Sequence, residues 1–132
     1  MIYAGKTKVA PEKTKMEIER LVTRYGAKGF VAGWQGQNAR VEFLCRDRHI
    51  RFTVLIPTSE QATRTRWRML LLLVKAKLAA VDANVVTFEQ AFATDIVMPA
   101  TGKTVWETIR EPIKLAYESR DEPVALLGGP NG

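Results

Sequence analysis

Between Arg64 and Val81 the chain reads Arg-Thr-Arg-Trp-Arg-Met-Leu-Leu-Leu-Leu-Val-Lys-Ala-Lys-Leu-Ala-Ala-Val, and no other stretch restricts the fold as much. At 3.6 residues per turn, Trp67, Leu70, Leu71, Val74, Leu78 and Val81 share one side of a helix. Arg64, Arg68 and Lys75 align on a second edge, with Arg66 and Lys77 away from it. Met69, Leu72, Leu73 and Ala76 fill most of what is left, so the middle of the helix is apolar nearly all round. A helix of that kind is expected to be buried on more than one side. It is read as a central helix packed on a sheet and also under C-terminal elements, with a wet basic end at Arg64, Arg66 and Arg68 and Trp67 as a core anchor. The unbroken apolar run, Met69 to Val74, is far shorter than the roughly 20 residues that cross a bilayer.

The elements before it supply the sheet. Pro11 suits a first helical turn, Ile18, Leu21, Val22 and Tyr25 form one stripe, and Gly26 is a natural stop, so a helix is expected over about 11–25. Three period-2 runs follow, centred on Phe30–Trp34, Val41–Cys45 and Ile50–Ile56, with turns at Gly36-Gln-Asn38 and Arg46-Asp-Arg48. They predict a three-stranded antiparallel meander. Its core face carries Phe30, Trp34, Val41, Phe43, Ile50, Phe52, Val54 and Ile56. The opposite face carries Arg40, Glu42, Arg46, His49, Arg51 and Thr53, and is mostly cationic. Aromatics on the core face argue against a base-stacking sheet of the RNA-recognition type.

Thr58-Ser-Glu60-Gln61 offers a capped start to the central helix. Thr87-Phe-Glu-Gln90 and Thr104-Val-Trp-Glu107 read as capping boxes for a short helix to about Ala93 and a final helix over about 105–118. That last helix points Trp106, Ile109, Ile113 and Tyr117 toward the core, and Pro112 interrupts its hydrogen bonding. The fold class is therefore α+β: N-terminal helix, three-stranded antiparallel meander, long central helix packed on the sheet, short helix and C-terminal helix. One domain spans 1–132, with a loose lead-in at 1–10 and an extended tail at 119–132 that Leu126 and Leu127 dock.

The net charge of +6 is unevenly spread. Residues 1–77 hold 16 Lys and Arg against 6 Asp and Glu, whereas 78–132 hold 4 against 8. A basic half joined to an acidic half points to a polyanion-facing surface, with an ordinary solvated surface as the alternative. If the central helix begins beside the outer sheet face, Arg40, Arg46, Arg48, Arg51, Arg64, Arg66 and Arg68 form one cationic surface. Such a surface binds nucleic acid, single- or double-stranded DNA, without reading sequence.

Other chemistries fit less well. A single cysteine and a single histidine exclude an internal disulfide and most metal sites, and Cys45 and His49 are expected on opposite faces of the second hairpin. Val97-Met-Pro-Ala-Thr-Gly102-Lys103-Thr104 has the tail of a phosphate-binding loop but lacks the first glycine, so it reads as a turn before a capped helix. Asp95, Glu107 and Glu111 are the acids a metal-dependent nuclease would use. No catalytic residue, cofactor or metal is expected. Met1–Ala10 has no apolar core of a signal peptide, and the lone cysteine suits a reducing compartment, so a cytoplasmic setting without membrane attachment is expected.

Several stretches carry a likeness to known sequences: Lys6-Thr-Lys-Val9, Arg24-Tyr-Gly26, Arg66 to Val81, Thr87-Phe-Glu, Ile96-Val-Met-Pro and Gly102-Lys-Thr-Val-Trp106. In these the chain resembles a family of small uncharacterised proteins of tailed phages and prophages, over most of residues 6–127. The resemblance implies a phage protein working in the host bacterial cytoplasm and brings no catalytic residues with it. Many family members have a longer basic insertion between the third strand and the central helix, and this chain is shorter there. Together these readings predict a non-enzymatic phage or prophage protein that binds nucleic acid, with single-stranded DNA in replication or recombination as the specific form. The alternatives are an interaction protein that modulates a host or phage enzyme, and a divergent metal-dependent nuclease.

Overall fold

The computed structural model describes residues 7–122 and 125–126. Their order is α1 (Pro11–Arg24), β1 (Phe30–Gln35), β2 (Asn38–Cys45), β3 (Arg48–Leu55), α2 (Glu60–Asp82), α3 (Phe88–Phe92), a 3-10 turn at Ala93–Asp95, and α4 (Val105–Glu118). This is the α+β arrangement that the hydrophobic periodicities predict. The strands lie in the order β1-β2-β3, all antiparallel. Arg46 and Asp47, at φ 50° and 60°, make the left-handed two-residue loop that matches the twist of β2 and β3.

Three contacts fix the layout of the helices. Gln61 Nε2 donates to the Thr7 carbonyl, Arg68 Nη1 to the Glu17 carboxylate, and the Tyr25 hydroxyl to Asp82. Residue numbers rise together along both segments, so α1 and α2 run parallel. Both start at the sheet end where β3 finishes and end at the β2–β3 hairpin tip. The lead-in at residues 7–10 is thereby docked on the first turn of α2, and residues 1–6 lie outside the described residues. Ser59 caps α2 by accepting from the Ala62 amide at 2.9 Å.

The core lies between the sheet and α1, α2 and α3. Ile18 and Val22, Val41 and Phe43, Ile50 and Phe52, and Trp67 and Val74 are buried there. Phe43, Phe52, Phe88 and Phe92 form one aromatic cluster, with centroids 4.7–6.5 Å apart. Trp67 is a core residue, as its place on the α2 wheel predicts, and Lys15 Nζ lies 4.8 Å from its ring centroid.

Four expectations need correction. Trp34 is 77% exposed instead of buried, because β1 carries it past the helices at the sheet end. Trp106, Ile113 and Tyr117 are exposed, Trp106 at 50%, and Ile109 is only half-buried. The turn before α4 is held at the outer side of the sheet by Arg51, whereas the core is closed on the other side by α1, α2 and α3. The central helix is buried along one stripe only, and Met69 and Leu73 are 41% and 47% exposed. Leu126 is exposed and does not dock the tail, and Leu127 lies outside the described residues. Residues 119–122 and 125–126 carry neither helix nor strand.

After the 3-10 turn the chain adds a short extended piece to the free edge of β3. Ile96 bridges Ile50, and Val97 bridges Thr104 across a tight turn with Gly102 at φ 71°. Thr104 and Glu107 then form the reciprocal cap that starts α4. The trial phosphate loop is therefore this turn and cap. Arg51 Nη1 donates to the Gly102 carbonyl at 2.9 Å, so the turn and the start of α4 stand on the outer side of the sheet, away from α2. No helix among the described residues is long and apolar enough to cross a membrane.

Candidate nucleic-acid interface

The seven arginines fall into three places. Arg64, Arg66 and Arg68 stand at the start of α2. Arg46 and Arg48 stand at the hairpin tip. Arg40 and Arg51 lie between them on the outer sheet face, in neighbouring rows of the ladder. Arg66 Nη1 donates to the Leu55 carbonyl at 2.8 Å, which places the first group at the end of β3. Arg48 is the first residue of that strand and Leu55 the last, so the two end groups are separated by roughly 23 Å of extended chain. The cations form a chain along the sheet with a cluster at each end.

Their partners differ. Arg48 pairs with Glu89 at 2.8 Å, Arg51 with Glu42 at 3.1 Å and Arg68 with Glu17 at 2.9 Å. Arg64 donates to Gln61 at 2.8 Å and lies 3.9 Å from Glu60. Arg40, Arg46 and Arg66 have no carboxylate within 4.0 Å among the described residues. Arg46 instead lies over the Phe88 ring at 5.0 Å.

Glu42 holds the middle of the outer face. It accepts from Arg51 and lies 2.6 Å from His49 Nε2. Burial pushes its carboxyl up, but the hydrogen bonds with His49 and Arg51 outweigh that and keep it below the usual carboxylate range. Cys45 points the other way, is buried, and lies with its sulfur 3.7 Å from the Tyr25 carbonyl. Burial raises its thiol pKa, with the Arg46 charge opposing, so it has the character of a structural thiol and does not meet His49.

The acids of the nuclease alternative are not gathered. Glu107 is engaged by Thr104, whose backbone N–H holds its carboxyl below the usual range. Asp95 faces Lys77, with Nζ at 3.7 Å from Oδ2, too long for a hydrogen bond. Burial raises Asp95 to about 6, and Lys77 offsets this only in part. Among the described residues no group of three or more His, Cys, Asp or Glu stands close enough to hold a metal ion.

Two features escape sequence reasoning. The first is a cleft of about 1020 Å³ at the hairpin tip, lined by Lys28, Arg46, Arg48, His49, Met98 and Pro99 among others. Lys28 reaches it because its amide pairs with the Leu44 carbonyl at 2.7 Å, a contact with no local signature. The second is the open Trp34, across β2 from the last residues of β3 and thus at the same sheet end as Arg66. The signal for it was its setting: Gly33, Gln35, Gly36 and Gln37 surround it with no other large apolar side chain. Lys8 is exposed at that end too, next to the docked Thr7.

No protein-family model, curated protein or solved structure matches this chain.

Proposed function

We propose that the protein binds nucleic acid without reading sequence, and single-stranded DNA in preference to duplex. The observation that carries this reading is Trp34, an indole open to solvent at the sheet end where Arg64 and Arg66 gather. An exposed aromatic ring stacks a base, and cations at the same end of the sheet meet the phosphates of the strand that base belongs to. A flexible strand leaving that end can pass Arg40 on the outer face and reach Arg46 and Arg48, a path that a stiff duplex fits less well, while Arg51, 13% exposed and bonded to Glu42 and the Gly102 carbonyl, is engaged by the fold. No catalytic residue takes part. The setting is the one that the sequence resemblance implies, a phage or prophage protein handling DNA in replication or recombination in the host cytoplasm.

The test is a titration of labelled oligothymidine and of a duplex of equal length, at salt concentrations from about 50 to 200 mM, a range in which counterion release weakens such contacts steeply. Affinity is expected to fall linearly on a log–log plot against salt. Trp34→Ala is expected to weaken the single strand more than the duplex. Absence of binding to either at the lowest salt overturns the reading.

A further inference from the structure

The two edges of the sheet differ. On β3 the Val97 amide donates to the His49 carbonyl at 2.8 Å and Ile96 bridges Ile50, so part of that edge is covered. The edge of β1 is bare. Gln35 and Asn38 close a two-residue turn, and the Leu44 amide donates to the Gly29 carbonyl. Both contacts put the odd-numbered residues from Gly29 to Gln35 in the hydrogen-bonded rows with β2, and an antiparallel ladder alternates. Phe30, Ala32 and Trp34 therefore turn their amides and carbonyls to the free edge, where no group among the described residues meets them. None of the usual protections is present there. Residues 29–39 contain no charged residue and no proline, and Phe30 to Gln35 pair one-to-one with β2 without a bulge. A bare edge of this kind is a template for another strand.

We infer that the strand it takes is β1 of a second copy, laid antiparallel with Ala32 facing Ala32 across a two-fold axis. The free groups themselves select this occupant and this register. They are spaced symmetrically about Ala32, so Phe30 meets Trp34 of the second copy, Ala32 meets Ala32, and Trp34 meets Phe30. Each is a hydrogen-bonded pair that exchanges two bonds, and every free amide and carbonyl of both strands is used. A shift by two residues leaves an outer pair unmatched, and a shift by one sets core-face side chains against the outer face. The side chains agree with the same register. Phe30 and Trp34 lie on the core face and form a cross-strand aromatic pair on each side of the axis, while Val31 lies opposite Gly33 on the outer face. No like charges oppose each other, and Trp34, 77% exposed in the single chain, gains a neighbour. The contact uses the same patch on both copies, closes at two, and joins two three-stranded sheets into one. It also takes up the indole proposed to stack a base, so a second copy and a single strand compete for that ring. The pairing itself is carried by backbone groups and does not depend on that role.

The experiment is sedimentation equilibrium of the full chain over a hundredfold concentration range, without nucleic acid. A dimer is expected. Ala32→Pro removes the amide at the axis and sets a ring in the path of the second strand. The ladder with β2 keeps its bonds, because the Ala32 amide is not part of it, so a folded monomer is expected by circular dichroism. Val31→Lys tests the same edge without touching the backbone or the core, since Val31 is exposed on the outer face. It sets two like charges diagonally across the axis, and the monomer–dimer midpoint is expected to move to higher concentration. Should Ala32→Pro fail to fold, Val31→Lys decides. A wild-type chain that stays monomeric throughout overturns the inference. So does a dimer that survives in folded Ala32→Pro, or a midpoint that Val31→Lys leaves in place, because the contact then lies elsewhere.

Discussion

Arg68 and Glu17 join the two parallel helices: Arg68 Nη1 lies 2.9 Å from one carboxylate oxygen of Glu17 and 3.0 Å from the other. The pair sits at a partly buried α1–α2 seam, where neither group is free to meet a phosphate without leaving the other unpaired. Arg68→Ala is expected to destabilise the fold, and a double-mutant cycle with Glu17→Ala, read by urea denaturation, to give a coupling of about 1 kcal/mol. The same substitution is expected to leave DNA affinity within about twofold of wild type, whereas Arg66→Ala, with no carboxylate to satisfy, lowers it tenfold or so, in line with the loss of a phosphate contact.

Trp34 allows a clean separation of binding from stability. It is open to solvent and touches the core little, so Trp34→Ala is expected to change unfolding free energy by no more than about 0.5 kcal/mol. Loss of one base–aromatic stack costs about 1–3 kcal/mol in single-strand binding. Quenching of tryptophan emission on titration with oligothymidine checks the contact directly, and in Trp34→Phe that quenching is expected to disappear.

Asp95 sets part of the dependence of stability on pH. Burial raises its folded-state pKa to about 6, well above the 3.8 of an ordinary aspartate. The folded chain therefore binds a proton more readily than the unfolded chain, and stability rises as pH falls through about 6 toward 3.8. Above pH 6 the charged form, held only by Lys77 at 3.7 Å, is a cost to the fold. Asp95→Asn is expected to be more stable than wild type at pH 7 and to lose this rise. Glu42, whose pKa is lowered, contributes in the opposite sense, so the informative quantity is the difference between the two denaturation profiles.

Thr14 is fully buried in α1, and its hydroxyl has no hydrogen-bond partner. An unsatisfied buried hydroxyl costs about 1–3 kcal/mol, and valine has the same shape without it. Thr14→Val is expected to raise the unfolding free energy by about 1 kcal/mol, measured by chemical denaturation. A loss of stability would mean that the hydroxyl is satisfied in solution.

The elements themselves were legible because each has a local cause. Pro11 and Ser59 mark helix starts, the Thr87 and Thr104 boxes fix two more, and alternation from Val41 to Ile56 sets the sheet register. The side chains that escaped share one feature: periodicity reports that a residue is apolar, not which surface covers it. Trp106, Ile113 and Tyr117 form as regular a stripe as Ile18, Leu21 and Val22, yet only the second stripe meets its own chain. Trp34 obeys the strand alternation, but the helices stop short of it. The arginines were legible as a set, whereas their division between two sheet ends depends on where α2 begins in space. Pairings such as Arg48 with Glu89, 41 residues apart, have no trace in local sequence.

Helix α4 has little besides its cap to hold it in a single chain. None of its residues is buried, and Pro112 within it leaves the Thr108 carbonyl without its usual backbone donor. The Thr104 hydroxyl accepts from the Glu107 amide at 3.2 Å, and the Glu107 carboxylate accepts from the Thr104 amide at 3.2 Å. A short helix that gains little from packing depends on such contacts to offset its ordering entropy. Thr104→Ala is expected to remove about 1 kcal/mol from the helix start. Because α4 is peripheral, the loss should appear as faster amide exchange over residues 105–118 and a drop in helical circular dichroism, with the main unfolding transition almost unmoved. Glu107 adds a pH sign: its pKa is lowered by the Thr104 amide, so the cap is intact at neutral pH and weakens as pH falls below the usual glutamate range. Exchange rates in α4 are therefore expected to rise, relative to the intrinsic acid dependence of exchange, as pH is lowered, and Glu107→Gln to abolish that added dependence.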